Sequence, residues 1–516
     1  MRRWTGKILR WFAVLLGVAA VGFAIAVVWP LPLPQPGEKF ARLLIRNVNV
    51  VNVVGGALQP GHDILIKDGV IVAIGPGLAT DGARVVDAAG RFAIPGLFDM
   101  HVHSLRMAPA LTHPLFVAAG VTAVRDMGGC LGDDDGWVAC AADKRAWNAA
   151  AGSGTMVGPR YDAITSLAID GGSEIPAGFD PRLGAATAED ARTRVDFDAA
   201  RGIDFLKPYT GLPRAGFFAL AEAARGTGMY LAGHVPLAVS GLEAVAAGQR
   251  SIEHAFLFIW DCYPGMARLR ESTDPLAVYT DALRQSMLAG HDAALCSRLH
   301  SAMIAAGVAY VPTHTTRKLD AFATDPAYLS DSRLRFVPAP LRLLWAEDAA
   351  AMAARAGPGG MDSYRAFYEF GIEQTGVAHR AGVTVLAGSD SPDSFAFPGS
   401  ALHDELGHFV AAGMSPLEAL RAASIAPARF LGLDGKAGSI APGARADIVL
   451  LDANPLEDIA AVRQVATVVL AGVVYDRAAL DRMLERVETT AGSWTMWPKF
   501  AWQIATSPIM RKQFGD

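Results

Sequence analysis

Five short apolar runs along this 516-residue chain each end on a residue type able to hold a metal, and no other feature restricts its fold as tightly. The first is Ile94-Pro95-Gly96-Leu97-Phe98-Asp99-Met100-His101-Val102-His103, which reads as a buried strand closing on two histidines. Alternate strand residues share a face, so His101 and His103 point the same way and can grip one divalent ion. A lone His-x-His is a weak signal. Four more runs strengthen it, ending on Lys207 (202–209), His234 (229–234), His254 (251–254) and Asp390 (383–390). In a parallel barrel the strand C-termini gather at one face, where catalytic groups sit. The pattern therefore argues for one metal centre.

Between Pro95 and about residue 435, strand-like runs alternate with alanine-rich helical stretches such as 215–226, 240–248 and 415–424. That alternation means βα units and a parallel sheet. Eight strands are expected, near 96–103, 120–126, 155–164, 202–209, 229–234, 251–254, 307–313 and 383–390. The fold class is α/β, a (β/α)8 TIM barrel over 95–435. Residues 41–94 and 436–478 are β-patterned, with a hairpin signal at Asp68-Gly69. Neither flank is large, so both are expected to join in a small composite β-sandwich beside the barrel. Residues 479–516 form a C-terminal extension whose Trp494, Trp497, Phe500 and Trp502 either dip into a membrane interface or pack back on the body.

The first 40 residues bear on location. Arg2, Arg3, Lys7 and Arg10 precede an apolar run from Trp11 to Trp29, close to the roughly 20 residues that cross a bilayer. Positive charge ahead of the span predicts a cytoplasmic N-terminus and an exported body, on the periplasmic side. Residues 1–29 read as an uncleaved anchor; cleavage after Ala24-Ile25-Ala26, giving a secreted protein, is the alternative. Pro30, Pro32, Pro34 and Pro36 make residues 30–40 a stiff spacer expected to hold the body off the membrane. Export suits the four cysteines, for which local pairing of Cys130 with Cys140 and Cys262 with Cys296 is the simplest of three arrangements; free thiols are the alternative. The net charge of −5, with no basic block following the N-terminus, gives nucleic acid no electrostatic foothold.

These runs, with Gly120-Val121-Thr122-Ala123-Val124-Arg125-Asp126 and Ser439-Ile440-Ala441-Pro442-Gly443-Ala444-Arg445-Ala446-Asp447, resemble the amidohydrolase superfamily. Within it the chain looks like the metal-dependent branch of prolidase-like dipeptidases and ochratoxin-hydrolysing amidases. The likeness runs from about Leu43 to Val474 and leaves out the N-terminal segment, the 256–305 insertion and the tail. It implies two divalent ions, commonly zinc, with His101, His103 and Asp390 on one, His234 and His254 on the other, and a carboxylated Lys207 bridging both. A buried lysine among positive neighbours becomes a nucleophilic amine, and adding carbon dioxide turns it into an anionic oxygen ligand. The alternative is a core lysine paired with Asp204, but strand alternation turns the two side chains apart.

The implied chemistry is hydrolysis of an amide bond, peptide or non-peptide, by a metal-bridging hydroxide, on N-acyl amino acids or dipeptide-like molecules. Asp390 would act as general base and then general acid, and Tyr209 would donate to the oxyanion, unless it is a rim tyrosine facing solvent. His314, ending the seventh strand, is a further candidate for substrate contact. His403 and His408 are expected on a solvated helix face among Asp404 and Glu405, and Arg125 with Asp126 as an ion pair under the site. His62, His113, His291, His300 and His379 carry no pattern. Many relatives have Gly-Gly-His after the third strand where this chain has Gly171-Gly172-Ser173, which puts one substrate contact in doubt. A deaminase or cyclic-amide hydrolase on the same barrel is the second reading. Deaminases usually lack the strand-four lysine and carry a glutamate soon after the strand-five histidine, where Val235-Pro236-Leu237-Ala238 stands here. A non-catalytic exported binding protein is the third. The partners expected are a small amide, the bilayer and, as an open option, a second copy of the chain.

Overall fold

The computed structural model describes residues 2–171, 184–271, 280–356, 360–508 and 510. Eight parallel strands form its centre: β1 (Leu97–Val102), β2 (Val121–Asp126), β3 (Arg160–Ile164), β4 (Phe205–Leu206), β5 (Tyr230–Gly233), β6 (Gln249–Glu253), β7 (Ala309–Val311) and β8 (Thr384–Val385). They fall in two sheets, β1-β2-β3 and β8-β7-β6-β5-β4. Parallel bridges stand at both seams, Thr165 with Phe205 and Val102 with Ser391. Backbone bonds reinforce them: Asp204 N donates to Ile164 O at 3.0 Å, and Met100 N to Ala387 O at 2.9 Å. β1 and β2 are buried along their whole length, as near-continuous apolar runs require when both faces are covered.

Local chemistry ends the intervening helices. Gly241–Ala247 starts on a capping box between Ser240 and Glu243 and stops at the left-handed Gly248. Pro416–Ala422 starts on Ser415 and Glu418 with proline in its first turn.

The flanks are hydrogen-bonded as one eight-stranded sheet, where two facing sheets were expected. Phe92–Pro95 explains this. It runs parallel to Arg42–Val51 and antiparallel to Ile448–Leu451, so it joins the two flanks edge to edge. Leu43, Ile45, Ile64, Ile448 and Leu450 form the sheet's apolar face. Asp68 and Gly69 both have positive φ, as a tight hairpin turn of that sequence demands.

The N-terminal helix spans Arg2–Val28, and its segment Arg10–Val28 is long and apolar enough to cross a membrane. The proline segment does not stand off from the body. Leu31 packs on an apolar cluster of the body, Pro34 is buried, and Phe40 N donates to Gly472 O at 2.9 Å. An extended chain with apolar side chains finds more contact lying against that surface than projecting from it. The tail forms helices Arg477–Ala491 and Met496–Thr506. Phe500 packs edge-on against Trp137, while Trp494, Trp497 and Trp502 are exposed. Lys499 Nζ donates to Val27 O at 2.9 Å and Trp29 O at 2.5 Å, tying the tail to the end of the N-terminal helix. Disulfides join Cys130 to Cys140 and Cys262 to Cys296.

Candidate active site

At the C-terminal ends of these strands lies a cavity of about 880 Å3 whose walls include His103, Lys207, Tyr209, His234, His254 and Asp390. His101 sits just beneath, fully buried. Asp390 Oδ1 lies 3.2 Å from His101 Nε2 and 3.0 Å from His103 Nε2, and the two imidazole nitrogens are 3.4 Å apart. Ligands bound tetrahedrally at about 2.1 Å from one ion stand roughly 3.4 Å apart, so this triangle has the size such an ion needs. Asp390 Oδ2 reaches toward His254 Nδ1 at 3.6 Å. The ring of His254 is 5.1 Å from that of His101 and 4.5 Å from that of His234, centre to centre.

Three of the four imidazoles are oriented from behind. His101 Nδ1 meets Glu253 Oε2 at 3.0 Å. His234 Nδ1 contacts the Thr210 hydroxyl at 2.6 Å, and His254 Nδ1 the Thr313 hydroxyl at 2.8 Å. In all three rings Nε2 is the nitrogen left for a metal, the usual use of such backing groups. The donor set of four imidazoles and a carboxylate, around a buried lysine, therefore fits divalent metal.

Backbone geometry aims these groups. His254, Thr313 and Asp390 have φ of 73°, 46° and 59°, a left-handed conformation that costs non-glycine residues on the order of 1–3 kcal/mol each and gathers at functional sites. Gly388 lets the last strand close on the first: an added Cβ would lie 2.7 Å from Val311 Cγ1 and 2.9 Å from His101 Cβ.

Electrostatics follow burial. Desolvation, with the charge of Lys207, holds His234 well below its ordinary pKa. Desolvation and the neighbouring His234 do the same for His254. Both rings are thus neutral, as ligands must be. Burial opposes charge on His101, yet Asp390 and Glu253 outweigh it and raise its pKa. Burial would raise Asp390 too, but His101, His103 and His254 hold it well below the carboxylate range. Desolvation depresses Lys207 against the pull of Asp390 and Glu253, the direction that favours a free amine. Tyr209 is 38% exposed, lies tilted over His234 with ring centres 4.3 Å apart, and is pushed up to about 12 by desolvation and the Asp390 and Asp393 carboxylates.

Several expectations need correction. His314 is wholly buried away from the cavity; its Nε2 meets the Thr375 hydroxyl at 3.0 Å and its ring packs on His408. The backbone turn at Thr313 starts a helix there and carries the side chain behind the wall. Arg125 and Asp126 do not pair, because neighbours on a strand face opposite ways. Arg125 Nη2 instead donates to both Glu253 oxygens at 2.9 Å, and Asp126 Oδ1 takes Lys144 Nζ at 2.6 Å. His403 and His408 are not on a solvated face: His403 Nε2 donates to Ala119 O at 2.8 Å, and His408 Nε2 meets the Tyr368 hydroxyl at 2.8 Å. Gly171 is described; Gly172 and Ser173 lie outside the described residues. Cys262, His291 and Cys296 also cluster, but the disulfide occupies both sulfurs.

Residues 369–475 match the amidohydrolase family. A bottromycin amidohydrolase shares the fold with a TM-score of 0.66 and 23% identity, over 88% of this chain and 91% of that one. The family match spans residues 369–475, and over most of the chain the likeness is one of fold. Another similar structure of the superfamily fold is a putative prolidase from Bifidobacterium longum, with a TM-score of 0.56 and 22% identity over 87% and 100% of the two chains. Adenine deaminase 3 of Rhizobium meliloti is 44% identical over 70 residues, 13% of this chain and 12% of that protein. The curated relatives are matched over only 12–18% of their own length. The chain thus shares its fold with these structures over most of its length, and close sequence with the curated relatives over short stretches.

Proposed function

We propose that the chain is a binuclear metal-dependent hydrolase of amide C–N bonds, acting on N-acyl amino acids or dipeptide-like molecules. The observation that carries the reading is the His101, His103 and Asp390 triangle, opening onto the same cavity as His234, His254 and Lys207. His101, His103 and Asp390 would hold one ion, and His234 and His254 the other. Lys207 Nζ would add to carbon dioxide and lose a proton, giving an anionic oxygen ligand between the two histidine groups. Zinc takes nitrogen and oxygen ligands of these types at this spacing. Such ions lower the pKa of water and polarise a carbonyl. Asp390 takes the proton from the attacking water and returns it to the leaving nitrogen, so a C–O bond forms, the C–N bond breaks, and acid and amine leave. Tyr209, a phenol that is protonated at neutral pH and lines the cavity, donates to the developing oxyanion.

In this reading the two parallel sheets close into one (β/α)8 barrel over 95–435, supported by the bridges at both seams. The mixed sheet of 41–94 with 436–478 is the second domain, and residues 479–516 are an extension of this chain. The N-terminal helix anchors the protein, with the body outside the cytoplasm; the two disulfides fit an oxidising compartment.

Purified full-length protein in detergent, given zinc, tests this against a panel of N-acyl amino acids and dipeptides. Release of free amino acid is expected. Ammonia release from aminopurines would favour deamination, the activity named for the Rhizobium relative. Neither metal uptake nor turnover would leave a binding protein.

A further inference from the structure

Beside the catalytic cavity lies a second, smaller one of about 250 Å3. Leu111, Leu115, Ala118, Trp345, Phe397 and Phe500 give it apolar walls. Leu105, Leu341 and Pro392 line both cavities. Leu105 comes two residues after His103 and Pro392 two after Asp390, so the two spaces meet at the loops that carry the triangle. Three arginines also line it, and each is engaged. Arg333 pairs with Asp331 and Asp404, Arg463 with Asp404, and Arg477 with Asp481. No anionic headgroup is called for there. Apolar walls that water cannot satisfy are instead suited to hydrocarbon.

We propose that this cavity is a subsite for a medium or long aliphatic acyl chain, the hydrocarbon arm of the amide substrate. The inference rests on the hydrolase reading for its meaning but not for its test. A substrate with its amide at the triangle lays its amino-acid end in the larger cavity, which holds the charged groups Lys207, Arg317 and Asp390. Its acyl chain passes Leu105 and Pro392 into the apolar one. This makes the preferred substrates N-acyl amino acids with fatty chains.

The probe is 12-bromododecanoate, whose bromine quenches a tryptophan it touches, titrated into the full-length protein in detergent. Saturable quenching is expected. It should be lost in Trp345→Phe and need at least tenfold more probe in Ala118→Phe, which fills the cavity. Leu115→Phe serves if Ala118→Phe does not fold. No quenching, or quenching unchanged in Trp345→Phe, would overturn the subsite. The second arm compares N-decanoyl with N-acetyl forms of one amino acid. The account expects kcat/KM at least tenfold higher for the decanoyl form, a margin that shrinks in Ala118→Phe; equal values would overturn it. Turnover of neither form would reject the hydrolase reading, and the quenching result would still decide what the cavity binds.

Discussion

The two ends of the candidate site are built differently. At the first, His101 leans on Glu253, Glu253 on Arg125, and Arg125 on Met100 O and the Ser251 hydroxyl, all buried. Asp99 adds a second brace by accepting from Ser389 N at 2.9 Å and from His101 N at 3.2 Å. At the second, His234 and His254 each lean on one threonine hydroxyl, and Tyr209 covers the cavity side. The first end comes with its carboxylate in place. The second has no carboxylate of its own beyond the reach of Asp390, and in the proposed function a carboxylated Lys207 would supply one. A preorganised ion pair and a chemically conditional one thus face each other across Asp390, and the difference predicts unequal metal affinities.

Replacing Asp390 should do the most damage, because it serves both ends. Asp390→Asn is expected to lower kcat by about 10²–10⁴-fold, read in a steady-state assay of any hydrolysed amide. Lys207→Ala should separate the ends, with one ion lost, the other kept and activity sharply reduced. Restoration of metal content and rate in that variant by added short-chain carboxylates would sharpen the case. Glu253→Gln should weaken only the first end, by roughly 10–100-fold in metal affinity, measured by competition with a chelator. Equal weakening of both ends by Glu253→Gln would break the comparison. Thr313→Val should have a smaller effect, confined to the second end.

Much of this was legible in the sequence because strand periodicity is simple. His101 and His103 share a face by alternation, and the strand-ending Lys207, His234, His254 and Asp390 needed only parallel topology to meet. Glu253 was missed for the same reason: alternation from His254 turns it away from the site. Glu253 faces inward with Ser251, both meeting Arg125, and the left-handed turn at His254 breaks the alternation so that His254 faces the site as well. The signal available was the triple Ser251, Glu253 and Arg125, polar groups inside otherwise apolar strands. His403 and His408 were misread because Asp404 and Glu405 look like a solvated face. Asp404 is in fact covered by Arg333 and Arg463, and Glu405 accepts from the backbone of His314 and Thr315. Tertiary pairing of that kind leaves no local trace.

The least local of these effects is also testable, in a region remote from the paired ends. Burial holds His403 at about 4 against 6.5 in the unfolded chain, so below pH 6.5 the unfolded state binds more protons. Stability is fully present above about 6.5 and falls as pH drops toward 4, by up to about 3 kcal/mol from this group. His403→Gln should flatten that part of a pH–stability curve measured by denaturant unfolding.

The most direct test is elemental analysis of purified protein and of Lys207→Ala, alongside electron density at Lys207 Nζ. The account predicts two divalent ions per chain, a carboxylated Nζ, and one ion in the variant. A bare lysine with unchanged metal content in the variant, or no bound metal in either protein, would contradict it.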